Sequence, residues 1–145
     1  MSELIPQTRE NHTRLDPAYH YFLVPAYLLL LIWAVVDLVR DTTTHAAILA
    51  ALTLLALVLA LKARTYSLKV QDRLIRLEER LRLSMLLSDS QRVRINELTE
   101  AQLIALRFAA DAEAPALVAR ALNEGLKPKT IKALIQSWRG DYFRV

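Results

Sequence analysis

Apolar and charged positions are sharply segregated along the chain. No Asp, Glu, Lys or Arg occurs between Pro17 and Val36 or between Thr42 and Leu61, whereas the sequence from Lys62 onward is densely charged. Tyr21 to Val39 gives about 19 residues, or about 28 Å of helix, close to the hydrocarbon thickness of a bilayer. Asp16 can cap this helix, and Pro17 suits its first position, where a missing N–H costs nothing. Pro25 removes one backbone bond from Tyr21 and predicts a kink. Tyr19, Tyr21, Phe22 and Tyr27 gather at one end, as in an interfacial aromatic belt. After a polar turn from Arg40 to His45, the second run, Ala46 to Leu61, has about 16 residues; its flanks Thr42–His45 and Lys62–Ala63 extend it to about 22, enough to span.

From Lys62 to Leu87 there is neither Pro nor Gly, so the second span is expected to continue as a stalk helix. Val70, Leu74, Leu77, Leu81 and Met85 form a narrow apolar stripe, the pattern of a self-association seam, with Leu59, Ala63 and Tyr66 on the same line upstream. Beside it Lys62, Lys69, Arg73, Arg76 and Arg80 make a basic strip. Asp72–Arg76 and Glu78–Arg82 have the spacing of helix-supporting pairs.

Beyond Ser88–Asp89–Ser90 the periodicity breaks into short amphipathic pieces. Thr99 and Gln102 resemble a capping box, followed by Leu103, Leu106 and Ala110 on one face. Pro115 opens a second helix, with Leu117, Val118, Ala121 and Leu122 inward and Gly125 closing it. Pro128 opens a third, with Ile131, Leu134, Ile135 and Trp138 on one face and Gly140 at its end. An extra turn is expected near Val93 to Glu97, and Tyr142 and Phe143 suggest a docked tail. A core this small is expected to borrow burial from the stalk or from another copy.

The expected fold is therefore all-α: a transmembrane helical hairpin whose second span continues into a long cytoplasmic stalk helix, then a small C-terminal helical bundle. The corresponding segments are 1–16, an N-terminal cytoplasmic segment; 17–63, the two spans; 64–87, the stalk; and 88–145, a three-helix module. Lys62, Arg64, Lys69, Arg73, Arg76, Arg80 and Arg82 follow the second span, while the turn carries Arg40 beside Asp41. The positive-inside rule then puts both termini in the cytoplasm. A cleaved signal peptide is not expected, because the first run is long, no small-residue cleavage site follows it, and a second run comes close behind.

The chemistry available is narrow. The formal charge is +4, cysteine is absent, and Gly125 and Gly140 are the only glycines. This excludes disulfides, thiolate metal sites and glycine-rich phosphate loops. The net charge favours anionic lipid headgroups as neighbours. His12, Asp16 and His20 could approach one another, but no metal or other cofactor is expected. Asp37 is the intramembrane ionisable residue; in the last turn it can reach the interface and pair with Arg40. No nucleophile–base pair or carboxylate dyad suggests an enzyme.

The segments Asn11-His12-Thr13-Arg14-Leu15-Asp16-Pro17, Leu61-Lys62-Ala63-Arg64, Val70 through Arg82 and Gln102 through Ala109 resemble a family of small two-span bacterial membrane proteins of unknown function. The resemblance covers nearly the whole chain and implies a bacterial inner membrane location, but no activity. Gly140 stands where that family's tryptophan-containing motif is expected to carry proline.

The expected function is structural or accessory: self-association, or docking onto a larger membrane complex, through the stalk and the C-terminal helices. One alternative is a tethered DNA-binding regulator using Lys129, Thr130, Lys132 and Gln136 in a helix-turn-helix-like arrangement. Nucleic acid is not the expected partner, since no aromatics interleave with the basic strip. An oligomeric channel is the other alternative, although no polar stripe lines either span.

Overall fold

A computed structural model of the chain describes residues 6–8, 10–11 and 15–142. Its described elements are all helical, apart from an isolated antiparallel bridge between Ala109 and Trp138. A π-helical segment, Ala18–Leu23, leads into α1, Val24–Arg40, and a short turn leads to α2, Thr44–Leu86. Next come α3, Asp89–Arg92, and a 3-10 turn, Ile95–Glu97. The chain ends with α4, Glu100–Leu106, α5, Ala114–Glu124, and α6, Pro128–Leu134. The chain divides into two compact units: residues 15–69, and the two flanks 1–14 and 70–144 together. Residues 44–69 of α2 belong to the first of these and 70–86 to the second.

In the apolar unit, the Asp16 carboxylate accepts from the Tyr19 N–H at 3.2 Å, the capping role its position suggests. The turns before Pro25 are π-helical, and the Val24 N–H reaches back to the Tyr19 carbonyl. In this register a carbonyl bonds the fifth residue on, which moves the bond that Pro25 cannot make away from Tyr21. Asp41 breaks the helix in an extended conformation, and the Thr43 hydroxyl accepts from the Ala46 N–H at 3.2 Å to start α2. Arg64 pairs with Asp16 at 3.9 Å and lies over the Tyr19 ring, linking the start of the first apolar helix to the end of the second apolar run. Both helices are long and apolar enough to cross a bilayer, yet little of their most apolar stretches is buried: 6% in Ala18–Arg40 and 17% in Thr44–Leu86. Ala34, Ala46 and Leu57 are the buried side chains there.

The other unit, the head, has an apolar core. Leu83 and Leu87 of the α2 end pack with Ile95, Leu98, Leu103, Leu106, Phe108, Leu117, Val118 and Ile131. Local signals place the short helices around it. Thr99 and Gln102 form a full capping box, and the Gln102 amide also donates to the Leu126 carbonyl at 2.9 Å. Gly125 closes α5 with φ of 61°, a left-handed position that a Cβ would disfavour even with open space around it.

The third short helix departs from expectation. The apolar spacing predicts helix from Pro128 to Gly140, but α6 stops at Leu134. Beyond it the Glu113 carboxylate accepts from the N–H groups of Gln136 at 3.1 Å and Ser137 at 3.2 Å. Ala110 N–H then donates to the Ser137 carbonyl, and Arg139 N–H to the Phe108 carbonyl at 2.7 Å. These bonds satisfy the backbone in an extended strap and put Trp138 against Phe108, ring centroids 5.1 Å apart. Farther on, Gln7 and Asp141 exchange two hydrogen bonds, joining the N-terminal flank to the C-terminal one. A Cβ at Gly140 would run into the Tyr142 ring, so glycine lets that ring close over the backbone. Phe143 lies outside the described residues, as does His12.

Candidate interaction surface

The segment of α2 from Val70 to Leu86 carries two apolar rows. One contains Ile75 and Leu83, continues through Leu86 to Leu87, and packs into the head. The other is the stripe read from the sequence. Val70, Leu74, Leu77, Leu81 and Met85 are 54–77% exposed, whereas Ile75, Glu79, Arg82 and Leu83 are at most 8% exposed. The burial the head borrows from α2 therefore comes from the face away from the stripe.

The inner face also holds a buried ion network that helix spacing alone misassigns. Arg82 does not pair with Glu78. It reaches Glu79 instead, donating to both carboxylate oxygens at 3.0 and 3.2 Å. It also bonds Asp111 at 2.7–2.8 Å and the Ala109 carbonyl at 2.6 Å. Likewise Arg76 meets the backbone carbonyl of Asp72 and the carboxylate of Glu100 on α4. Both arginines face the head, where acceptors on other elements outcompete the neighbouring turn.

Burial is the larger influence on Glu79 and raises its carboxyl above the usual range; Arg82, by charge and hydrogen bonding, pulls it back down. Because folded Glu79 holds its proton more tightly than the open chain does, its stabilising contribution is complete below the ordinary carboxylate range. It is lost as pH rises through the raised folded value. Glu79→Gln is expected to flatten this part of the profile, measured by denaturant unfolding from about pH 4 to about pH 7. An unchanged slope would mean that burial does not dominate.

A cleft of about 660 Å³ lies beside this network, lined by Glu78, Glu79, Arg82, Arg107, Asp111 and Arg139 among others. Its charges are largely engaged with one another: Arg82 with Glu79 and Asp111, and Arg107 with Asp141 at 3.0 Å. No Ser, Thr, His or Lys lies among its lining residues.

The remaining predicted positions are dispersed. Lys62 and Lys69 sit over the Tyr66 ring at 6.0 and 5.9 Å. Arg73 and Arg80 are exposed, but Arg76 is half-buried against the head, so the strip is not uniformly presented. Asp37 is exposed, and no ion pair joins it to Arg40 among the described residues. The His20 ring contacts the Asp16 backbone carbonyl at 2.8 Å, not the carboxylate, and no metal-holding cluster occurs among the described residues. Lys129 and Thr130 are exposed on the two-turn α6, while Lys132 lies over Phe108 at 5.3 Å and Gln136 falls in the strap.

Residues 1–145 match a family described as "Family of unknown function (DUF6526)". The chain belongs to this family. No curated protein and no solved structure matches it. The stripe between Val70 and Met85 is its candidate interaction surface.

Proposed function

We propose that this DUF6526 protein is a two-span integral membrane protein of the bacterial inner membrane that serves as an accessory or scaffolding element. Its hairpin tethers a small helical head, and the α2 stripe with the C-terminal helices supplies the contact surface. The observation that carries this reading is the contrast between the two units. The head hides its core, whereas the two apolar helices leave their most apolar stretches uncovered, a surface that only lipid or other apolar helices would accommodate.

Two further features support the topology. The segments before the first apolar helix and after the second fold into one unit, joined by Gln7 and Asp141, which supports placing both flanks on the same side of a membrane. The basic residues that follow the second run favour the cytoplasm for that side.

Carbonate extraction of host membranes should leave the protein in the pellet. Since the chain has no cysteine, Thr42→Cys offers a single thiol in the turn. It should react with an impermeant maleimide added to intact spheroplasts, while fluorescent-protein fusions at either terminus should report cytoplasm. Release into the carbonate supernatant, or an unreactive Thr42→Cys thiol in intact cells, would overturn the reading. A shortened mature chain would instead reveal a cleaved signal.

A further inference from the structure

We propose that the occupant of the α2 stripe is a second copy of the same chain, paired in parallel and in register as a short two-helix coiled coil. This deepens the reading above and rests on it, because parallel pairing assumes that both copies are held in one membrane in the same orientation.

Val70 and Leu77 take position d, and Leu74 and Leu81 take a, which gives the alternating seam of a coiled coil. The residues facing the head, Ile75, Glu79, Arg82, Leu83 and Leu86, occupy b, f, b, c and f. The head thus covers the side of the helix away from a and d, leaving the seam exposed with Arg73 and Arg80 at g, while Glu78 and Met85 at e are exposed at the rim of the cleft. Within the stripe, the exposed Val70, Leu74, Leu77 and Leu81 recur at the spacing another helix can interlock with.

Charge then selects the partner. Arg73 occupies g and Glu78 the following e, and both are exposed. In a parallel, in-register pair, the g residue of one helix faces the next e residue of the other. Arg73 of each copy would meet Glu78 of the other, giving two symmetric ion pairs from one sequence. Antiparallel pairing would instead bring g against g and set Arg73 and Arg80 against each other. A second copy supplies this complement without any further partner.

The seam is short. Its core positions give way to serine at both ends, Ser67 at a and Ser84 at d, whose hydroxyls bond back to the Ala63 and Leu81 carbonyls. About two heptads are marginal for association in free solution. Confinement to one membrane raises the effective concentration of the partner helix and makes so short a seam sufficient.

The test uses the full chain in its membrane, with single cysteines introduced into a cysteine-free sequence. Under mild oxidation, Leu77→Cys should form disulfide-linked dimers about tenfold faster than Asp72→Cys, which lies at f on the same helix. Arg73→Glu or Glu78→Arg, each added to Leu77→Cys, should slow cross-linking about threefold or more, and the two together should restore it. Rescue by the double reversal is specific to self-pairing in register and does not depend on how well any single variant folds.

Equal rates at positions 77 and 72, or no rescue, would overturn the proposal. If the chain pellets with membranes after carbonate extraction but Leu77→Cys cross-links to a different polypeptide, self-pairing fails and the accessory reading stands. If the chain is extracted by carbonate, the membrane reading fails as well.

Discussion

Arg82→Met should destabilise the head by about 3–5 kcal/mol, because it leaves the carboxylate of Glu79 buried without its cation. Glu79 is 2% exposed, and Arg82 supplies both of its ionic hydrogen bonds. The same substitution leaves the Ala109 carbonyl without its guanidinium donor, while Asp111 can turn to water. Unfolding can be followed by Trp138 emission in detergent, with Trp33→Phe as the background so that one tryptophan reports. Lowering the pH should partly rescue the variant, because Glu79 can then be buried neutral. Adding Glu79→Leu should recover most of the loss and leave about 1–2 kcal/mol for the unsatisfied carbonyl. A single-variant loss below about 1 kcal/mol would show that the pair is not insulated from solvent.

The position of this network explains why some of the chain was legible in sequence and some was not. Features set by local backbone chemistry could be read directly. The Thr99–Gln102 box, the helix opening before Pro115 and the Gly125 terminus each depend on residues within one turn. The apolar stripe was legible for the same reason, since helical spacing places its members on one face wherever the helix lies.

Contacts set by distant partners were not legible. Spacing nominated Glu78 for Arg82, but Asp111 and the Ala109 carbonyl come from chain 27–29 residues away and turn the guanidinium toward the head. A signal was available: Ile75, Leu83 and Leu86 form a second apolar row, and Arg82 lies on that side. The end of α6 was missed similarly. Ile131, Leu134, Ile135 and Trp138 keep helical spacing, yet the Glu113 carboxylate, more than 20 residues upstream, draws the strap out of the helix. Helix pattern alone cannot reveal a carboxylate that offers the backbone another set of partners.

Phe108→Ala is expected to cost about 3–5 kcal/mol, the range for removing a fully buried aromatic ring. Phe108 has no exposed surface, and its ring meets Trp138 at 5.1 Å, the Arg107 guanidinium at 4.4 Å and the Lys132 ammonium at 5.3 Å. It connects α4, α6 and the strap, so its loss should loosen the strap before the whole head opens. In the Trp33→Phe background, Trp138 emission should shift red under native conditions. Amide exchange should rise first at Ala110 and Arg139, whose N–H groups bond Ser137 and Phe108 across the strap. Phe108→Leu should retain more than half of the lost stability, because it leaves a smaller cavity while removing the aromatic and cation contacts. Exchange that rises uniformly through the head would instead mean that the strap and core open as one unit. The Phe108 backbone carbonyl remains in either variant, so a selective effect at Arg139 would report side-chain packing. The extended strap would then be held by the ring behind it as well as by the Glu113 carboxylate.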